Sequence, residues 1–299
     1  MSDLFTATTA AQVEEALARG DNIEEEQSNE GKRATPLLSA CERGELEVVD
    51  CLLNHGANFD HAPSGRVKPM QVAAQEGHAA IVECLFKAGA DINDDSSGRT
   101  ALSVASREGH VDVVDCLLSL GADTEKKRPG WFTPLMVASE KGNVDVVDRL
   151  LAAGANPNET SSAGHSPMTL AAARGHLFIV DRLLVHGANL NHQNSEGRNA
   201  LMLASQGGRI EVVDRLLSLG CDVNVQDKEG WTALMLACSG GKIDVVRLLL
   251  DHGADPLIQD KKGRRTIGFA FRSPEIQTLL NGLILLSFHH HHHRHHHVP

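Results

Sequence analysis

Tyrosine is absent from the 299 residues, tryptophan occurs twice and phenylalanine eight times, so aromatic residues supply only 3% of the chain. A core built without them has to rest on Leu, Val, Ile and Ala, a composition suited to helix packing rather than to a β-sandwich. Cysteine pairs are lacking too. The six cysteines (Cys41, Cys51, Cys84, Cys116, Cys221 and Cys238) form no CxxC motif and no dense framework, and the Met1 end carries no apolar signal stretch. The expected surroundings are therefore a reducing cytoplasm, with the nucleus as second choice. The longest apolar run, "LILLSF" from Leu283 to Phe288, is too short to span a bilayer. Positive charge is in deficit, 28 Lys and Arg against 39 Asp and Glu for a net −11, which disfavours indiscriminate attraction to phosphate backbones or anionic membranes. No Gly-rich phosphate loop, HExxH or GxSxG motif is present. An enzyme is not expected, and no cofactor is implied.

What is there, at 41% hydrophobic and 22% charged, is a globular composition organised as a repeat. "CLLNHGAN", "CLFKAGAD", "CLLSLGAD", "RLLAAGAN", "RLLVHGAN", "RLLSLGCD" and "LLLDHGAD" follow one another, with glycines at 56, 89, 121, 154, 187, 220 and 253, a period of 33 residues and once 32. Upstream of each lies a second block of the type "TPLMVASEKGNVDVVD". In that copy Thr133 is placed to cap a helix and Pro134 to occupy its first turn. Gly142 should end that helix. The next one carries Val144, Val147 and Leu151 on one face with Val146 and Leu150 beside them, and Gly154 should close it in the left-handed region. Ala138 and its counterparts allow the two helices to approach closely, and the polar linking segment reads as a β-turn or hairpin.

These blocks resemble the ankyrin repeat over nearly the whole chain, Leu4 to about Leu280. The resemblance implies an all-α repeat solenoid of helix-turn-helix units with about seven full repeats and degenerate caps at both ends. The boundaries are an N-terminal cap at 1–30, full repeats at 31–262 and a C-terminal cap at 263–288, giving one domain at 1–288. A His-rich tail at 289–299, expected to be disordered, follows. One family feature departs: the His usually found after Thr-Pro-Leu is replaced by Leu38, Gln71, Ser103, Met136, Thr169, Met202 and Met235, so the turns should be more loosely tied. Fast hydrogen exchange at residues 126–130 is the expected sign.

In ankyrin proteins the turn tips and first-helix faces line a concave groove that holds partners. The matching residues here are Arg99, Arg107, Lys127, Arg128, Lys141, Arg174 and Arg198, joined by Trp131, Phe132 and Trp231 as aromatic anchors of the kind enriched at binding hot spots. The two tryptophans each follow a repeat glycine, so packing of the ring over the neighbouring turn is the competing reading. The implied function is a non-enzymatic scaffold or adaptor for a partner protein or peptide, acidic and with apolar anchors. Binding of nucleic acid or anionic lipid by the basic tips, or a regulatory subunit of an enzyme complex, are the alternatives. The outer helices repeat an acid at Asp50, Glu83, Asp115, Asp148, Asp181 and Asp214, read as a solvated face. Cys51, Cys84 and Cys116 share one outer-helix position and are read as packing thiols; His78, His110 and His176, which follow the mid-repeat glycine, and His55, His186 and His252, which precede the helix-ending glycine, are read as positional. No metal is expected in the repeats, whereas the tail histidines His289, His290, His291, His292, His293, His295, His296 and His297 could take up Ni²⁺, Zn²⁺ or Cu²⁺. Asn93, Asn158, Asn191 and Asn224 match the turn asparagine that ankyrin repeats offer to an oxygen-dependent asparaginyl hydroxylase.

Overall fold

The computed structural model of the protein describes residues 3–294 and divides into two compact units, Met1–Asn156 and Pro157–Pro299. The first unit opens with a 3-10 turn at Asp3–Phe5 and α1 (Ala10–Ala18), followed by a hairpin of β1 (Gln27–Asn29) and β2 (Lys32–Ala34). Four helix pairs follow: α2 (Pro36–Arg43) with α3 (Leu46–Asn54), α4 (Pro69–Glu76) with α5 (Ala79–Lys87), α6 (Ala101–Glu108) with α7 (Val111–Ser119), and α8 (Pro134–Lys141) with α9 (Val144–Ala152). The second unit holds α10 (Pro167–Arg174) with α11 (Leu177–Val185), α12 (Ala200–Gln206) with α13 (Ile210–Ser218), and α14 (Ala233–Ser239) with α15 (Ile243–Asp251). It closes with a 3-10 turn at Thr266–Phe269 and α16 (Pro274–Arg294). Among the described residues β1 and β2, paired antiparallel with Ser28 opposite Arg33, are the only strands; the other linking segments are turns.

Capping explains where the first helix of each pair begins. Thr35, Thr100, Thr133 and Thr232 each accept the backbone N–H of the residue three positions on, at 3.1 to 3.3 Å, and Ser166 and Asn199 do the same for α10 and α12. Lys68 cannot, and α4 starts without a side-chain cap. For α2, α4, α6, α8 and α10 the stop is a glycine in the left-handed region, as at Gly142 with φ 83°. Its neighbourhood shows a second constraint. The His78 ring lies so close to Gly44 that a Cβ there would stand 2.6 Å from it, and the His110 ring lies against Gly77 in the same way. His110 Nε2 also reaches the Gln75 carbonyl oxygen, one of the last of α4, at 2.8 Å. His110 thus caps the preceding copy's first helix, and His78 packs on the glycine that ends α2.

Within each unit, first helices pack on first helices (α2 on α4, α4 on α6, α6 on α8; α10 on α12, α12 on α14) and second helices on second helices. The small residue at each first-helix contact, Ala40, Ala73, Ala105, Ala138, Ala171, Ala204 and Ala237, has no exposed surface. Val-Val pairs such as Val48–Val49 and Val146–Val147 are likewise fully buried between the helices of a pair. A single copy has too little apolar area to fold alone, so burial comes from neighbours. At the C-terminal end Ile276 and Leu280 of α16 are buried against the last copy while Leu285, Leu286 and Phe288 are exposed. Ser273 accepts the Ile276 N–H at 3.3 Å as expected of its cap. The α16 backbone continues as helix through His289–His293 to Arg294; His295, His296 and His297 lie outside the described residues. No helix among the described residues is long and apolar enough to cross a membrane.

Candidate functional site

In the first unit the turn between α5 and α6 and the exposed sides of α4 and α6 form a cleft of about 290 Å³. Its wall on α4 is Gln71 and Gln75, its wall on α6 is Val104 and Arg107, and Val67, Ser97, Arg99 and Trp131 complete it from the turns. Three of the sequence-predicted residues, Arg99, Arg107 and Trp131, thus meet in one place. The Trp131 ring lies against the preceding turn, where a Cβ on Gly98 would come within 2.9 Å of its Cη2. Gly98 is free to accept this only because it has no side chain, and its φ of 101° is one that L-residues rarely adopt. The Arg128 guanidinium sits 5.7 Å from the ring centroid and donates through Nη2 to the Asp95 and Ser96 carbonyl oxygens at 3.3 and 2.9 Å. The ring therefore does pack on its neighbouring turn, yet 44% of Trp131 remains exposed over the cleft.

The polar groups of the cleft differ in how far they are satisfied. Arg107 pairs with Glu108 at 3.3 Å, whereas Arg99 is exposed and makes no ion pair among the described residues. Gln71, only 2% exposed, donates its Nε2 to the Asp94 carbonyl oxygen at 3.0 Å, but its Oε1 has no hydrogen-bond partner. A buried acceptor without a donor is costly, by about 1–3 kcal/mol in typical cases, and this one belongs to the cleft wall. A larger hollow of about 640 Å³ beside the β1–β2 hairpin has both of its arginines already engaged. Arg66 meets Glu42 at 2.7 Å, and Arg43 meets the Ala7 carbonyl oxygen at 3.0 Å.

The remaining predicted residues stand elsewhere. Phe132 and Lys127 are half-buried, and Lys141 is exposed at the end of α8. In the second unit Trp231 has a setting unlike that of Trp131. Its Nε1–H donates to Asp260 Oδ2 at 3.2 Å, its edge meets the Phe269 ring at 5.0 Å and 73°, and Arg198 and Arg264 lie 5.7 and 5.8 Å from its centroid. Arg198 is itself held by the buried Asp227 at 3.1 Å, and Arg174 lines a shallow hollow of about 230 Å³ with Arg209 and Glu211. Burial opposes ionisation of Asp260, but hydrogen bonds from Arg264 and Lys262 outweigh it and hold the carboxyl below its ordinary value. In the sequence Asp227 and Asp260 read only as loop acids that dilute the basic tips; the signal of their structural role is the "QDKEG" and "QDKKG" spacing, which lets one carboxylate accept two backbone N–H groups of the turn, as Asp227 does from Glu229 and Trp231.

Three of the four turn asparagines serve as ties. Asn93 Oδ1 accepts the Asp123 N–H at 2.9 Å, Asn158 the Asn189 N–H at 2.8 Å and Asn224 the Asp255 N–H at 2.9 Å. The outer acids are more than a solvated face, since Asp115 meets Arg149 at 3.1 Å and Asp181 meets Arg215 at 2.9 Å, exposed pairs worth up to about 1 kcal/mol each. All six thiols are free. Burial pushes the Cys84 thiol up to about 11 and Cys238 to about 12, the reverse of what a nucleophilic cysteine requires.

A family model for ankyrin repeats (3 copies) matches residues 6–96, 65–128, 135–227, 168–260 and 219–283. No curated protein matches the chain. Ankyrin repeats are generally protein–protein interaction modules on a fold that is typically non-catalytic. With matches across most of its length and the helix-pair repeat in place, this chain belongs to the ankyrin-repeat family.

Proposed function

We propose that the protein is a non-enzymatic scaffold that holds an acidic, partly apolar segment of a partner protein in the Trp131 cleft. The observation that carries this reading is the company Trp131 keeps: an exposed ring beside an unpaired Arg99 and the unpartnered Gln71 Oε1. An apolar side chain of the partner fits between Trp131 and Val104, a carboxylate suits Arg99 and Arg107, and a backbone N–H supplies the donor that Gln71 lacks. This assigns an anchor role to Trp131 and none to Trp231, whose ring edge and N–H are already engaged. The rival reading, nucleic acid or anionic lipid on the basic tips, is weakened because those cations face acids: Lys68 meets Asp94 at 2.6 Å, and Arg264 meets Asp260 at 2.9 Å.

The test is selection of displayed peptides on the full chain, followed by affinity measurement on Trp131→Ala and Arg99→Glu variants. Enriched peptides should carry acids flanking an apolar residue, and each variant should bind them at least about tenfold more weakly, the loss expected of a hot spot. Selected peptides that bind both variants as tightly as the parent would refute the assignment. Duplex DNA binding with a steep inverse dependence on salt would favour the rival.

A further inference from the structure

Glu14 on α1 and Cys51 and His55 on α3 place a carboxylate oxygen, a thiol sulfur and an imidazole nitrogen within 4.8 Å of one another. The repeat explains two of the three. An acid on each of these outer helices faces a fixed position on the next: Asp115 faces Arg149 at 3.1 Å and Asp50 faces the Cys84 thiol at 3.6 Å. Glu14 stands to Cys51 as Asp50 stands to Cys84. The third group is a departure. Four residues after Cys84 and Cys116 come Ala88 and Leu120, whereas four residues after Cys51 comes His55. His186 and His252 occupy the same place in their own copies, but they follow Arg182 and Leu248, and each has its Nδ1 within 3.0 Å of that residue's carbonyl oxygen. Among these outer helices a thiol and an imidazole one turn apart, with an acid opposite, meet only here. Among the described residues neither the Glu14 carboxylate nor the His55 ring has a hydrogen bond or ion pair.

We propose that Glu14, Cys51 and His55 bind a zinc ion, with solvent completing a tetrahedral shell. Thiolate and imidazole together select zinc over calcium or magnesium, which demand oxygen ligands. At ordinary zinc bond lengths the ligand atoms stand about 3.5 Å apart, and the present separations reach that by side-chain rotation of the exposed Glu14 and His55. Coordination by sulfur releases the Cys51 thiol proton to solvent and trades its present contact with the Ala10 carbonyl oxygen, 3.7 Å away, for a metal–sulfur bond. The consequence is mechanical. α1 is the first full helix of the stack and packs on α3 with few buried residues, Val13 and Ala16. An ion bridging Glu14 to α3 clips that cap where a repeat array most readily frays.

Cobalt(II) binding to the full chain, followed in the near ultraviolet, tests this. The histidines of the tail also take up cobalt, but only sulfur ligation produces a thiolate-to-cobalt charge-transfer band. The wild-type chain should show that band at one equivalent, Cys51→Ser should abolish it, Cys84→Ser should retain it, and His55→Gln should weaken cobalt affinity at least tenfold. Zinc should displace the cobalt and slow amide exchange across Ala10–Ala18. Absence of the band in wild type, its survival in Cys51→Ser, or unchanged affinity in His55→Gln would each overturn the proposal. His55 is exposed, so that variant reports even where substitution at the buried Cys51 impairs folding.

Discussion

At the scale of single residues, two tryptophans in equivalent sequence surroundings have different physical roles. Trp231 gives its N–H to a buried carboxylate and its edge to Phe269, while Trp131 rests one side on Gly98 and keeps 44% of its surface in solvent. Trp231→Ala should therefore lower stability by roughly 2–4 kcal/mol, and Trp131→Ala by less than about 1 kcal/mol, in denaturant titrations. Equal losses would mean that both rings are structural. His61 offers a second case. Its Nδ1 lies 3.2 Å from Glu24 and its Nε2 3.0 Å from Glu26. Burial alone would lower its pKa, but the two hydrogen-bonded carboxylates prevail and raise it above the ordinary value. A raised folded pKa stabilises fully below the unfolded value, and the contribution is lost as pH rises through the folded one. Wild type should thus gain melting temperature over His61→Gln on going from about pH 8 to about pH 6. A pH-independent difference between the two would contradict the protonated pairing.

At the scale of elements, the turns are tied in two different ways. In the second unit, backbone N–H groups of Ser195, Lys228 and Lys261 donate to Ala163, Glu196 and Glu229 carbonyl oxygens at 2.9 to 3.0 Å. In the first unit the corresponding ties are made by long side chains, Arg66 to the Arg33 carbonyl oxygen and Arg128 to Asp95 and Ser96. A backbone tie protects its own amide, whereas an arginine tie leaves the turn amides open to water. Amide exchange should accordingly be slow at Ser195, Lys228 and Lys261 and fast across residues 126–130. Similar protection in both would show that the arginine ties hold as firmly as the backbone ones. The loss of the usual histidine has been met locally: Gln71 reaches the next turn through Asp94, and Thr169 completes a capping box with Ser166.

At the scale of the whole molecule, stability is a sum over neighbouring copies, so an end is protected only by its cap. Truncation after Arg272 removes Ile276 and Leu280 from the last copy; exchange in α15 should quicken while α3 is unaffected. An equal change in both would mean that the array folds as one indivisible unit. The helix pairs, their Thr-Pro starts and their glycine stops were legible in the sequence because capping, φ preference and apolar periodicity act over a few residues and recur at a fixed period. Arg99, Arg107 and Trp131 were legible as candidates for the same reason, by their place in the copy. What only the tertiary structure decided is which of them face one another. Gln71, expected only as a substitute for the usual histidine, and Val104 joined the cleft, Trp231 was drawn into a network with Asp260, and Glu14 came to stand opposite Cys51 and His55. Each of these depends on residues roughly a full repeat or more apart, and contact across that distance follows from how one copy stacks on the next, which no short-range preference encodes.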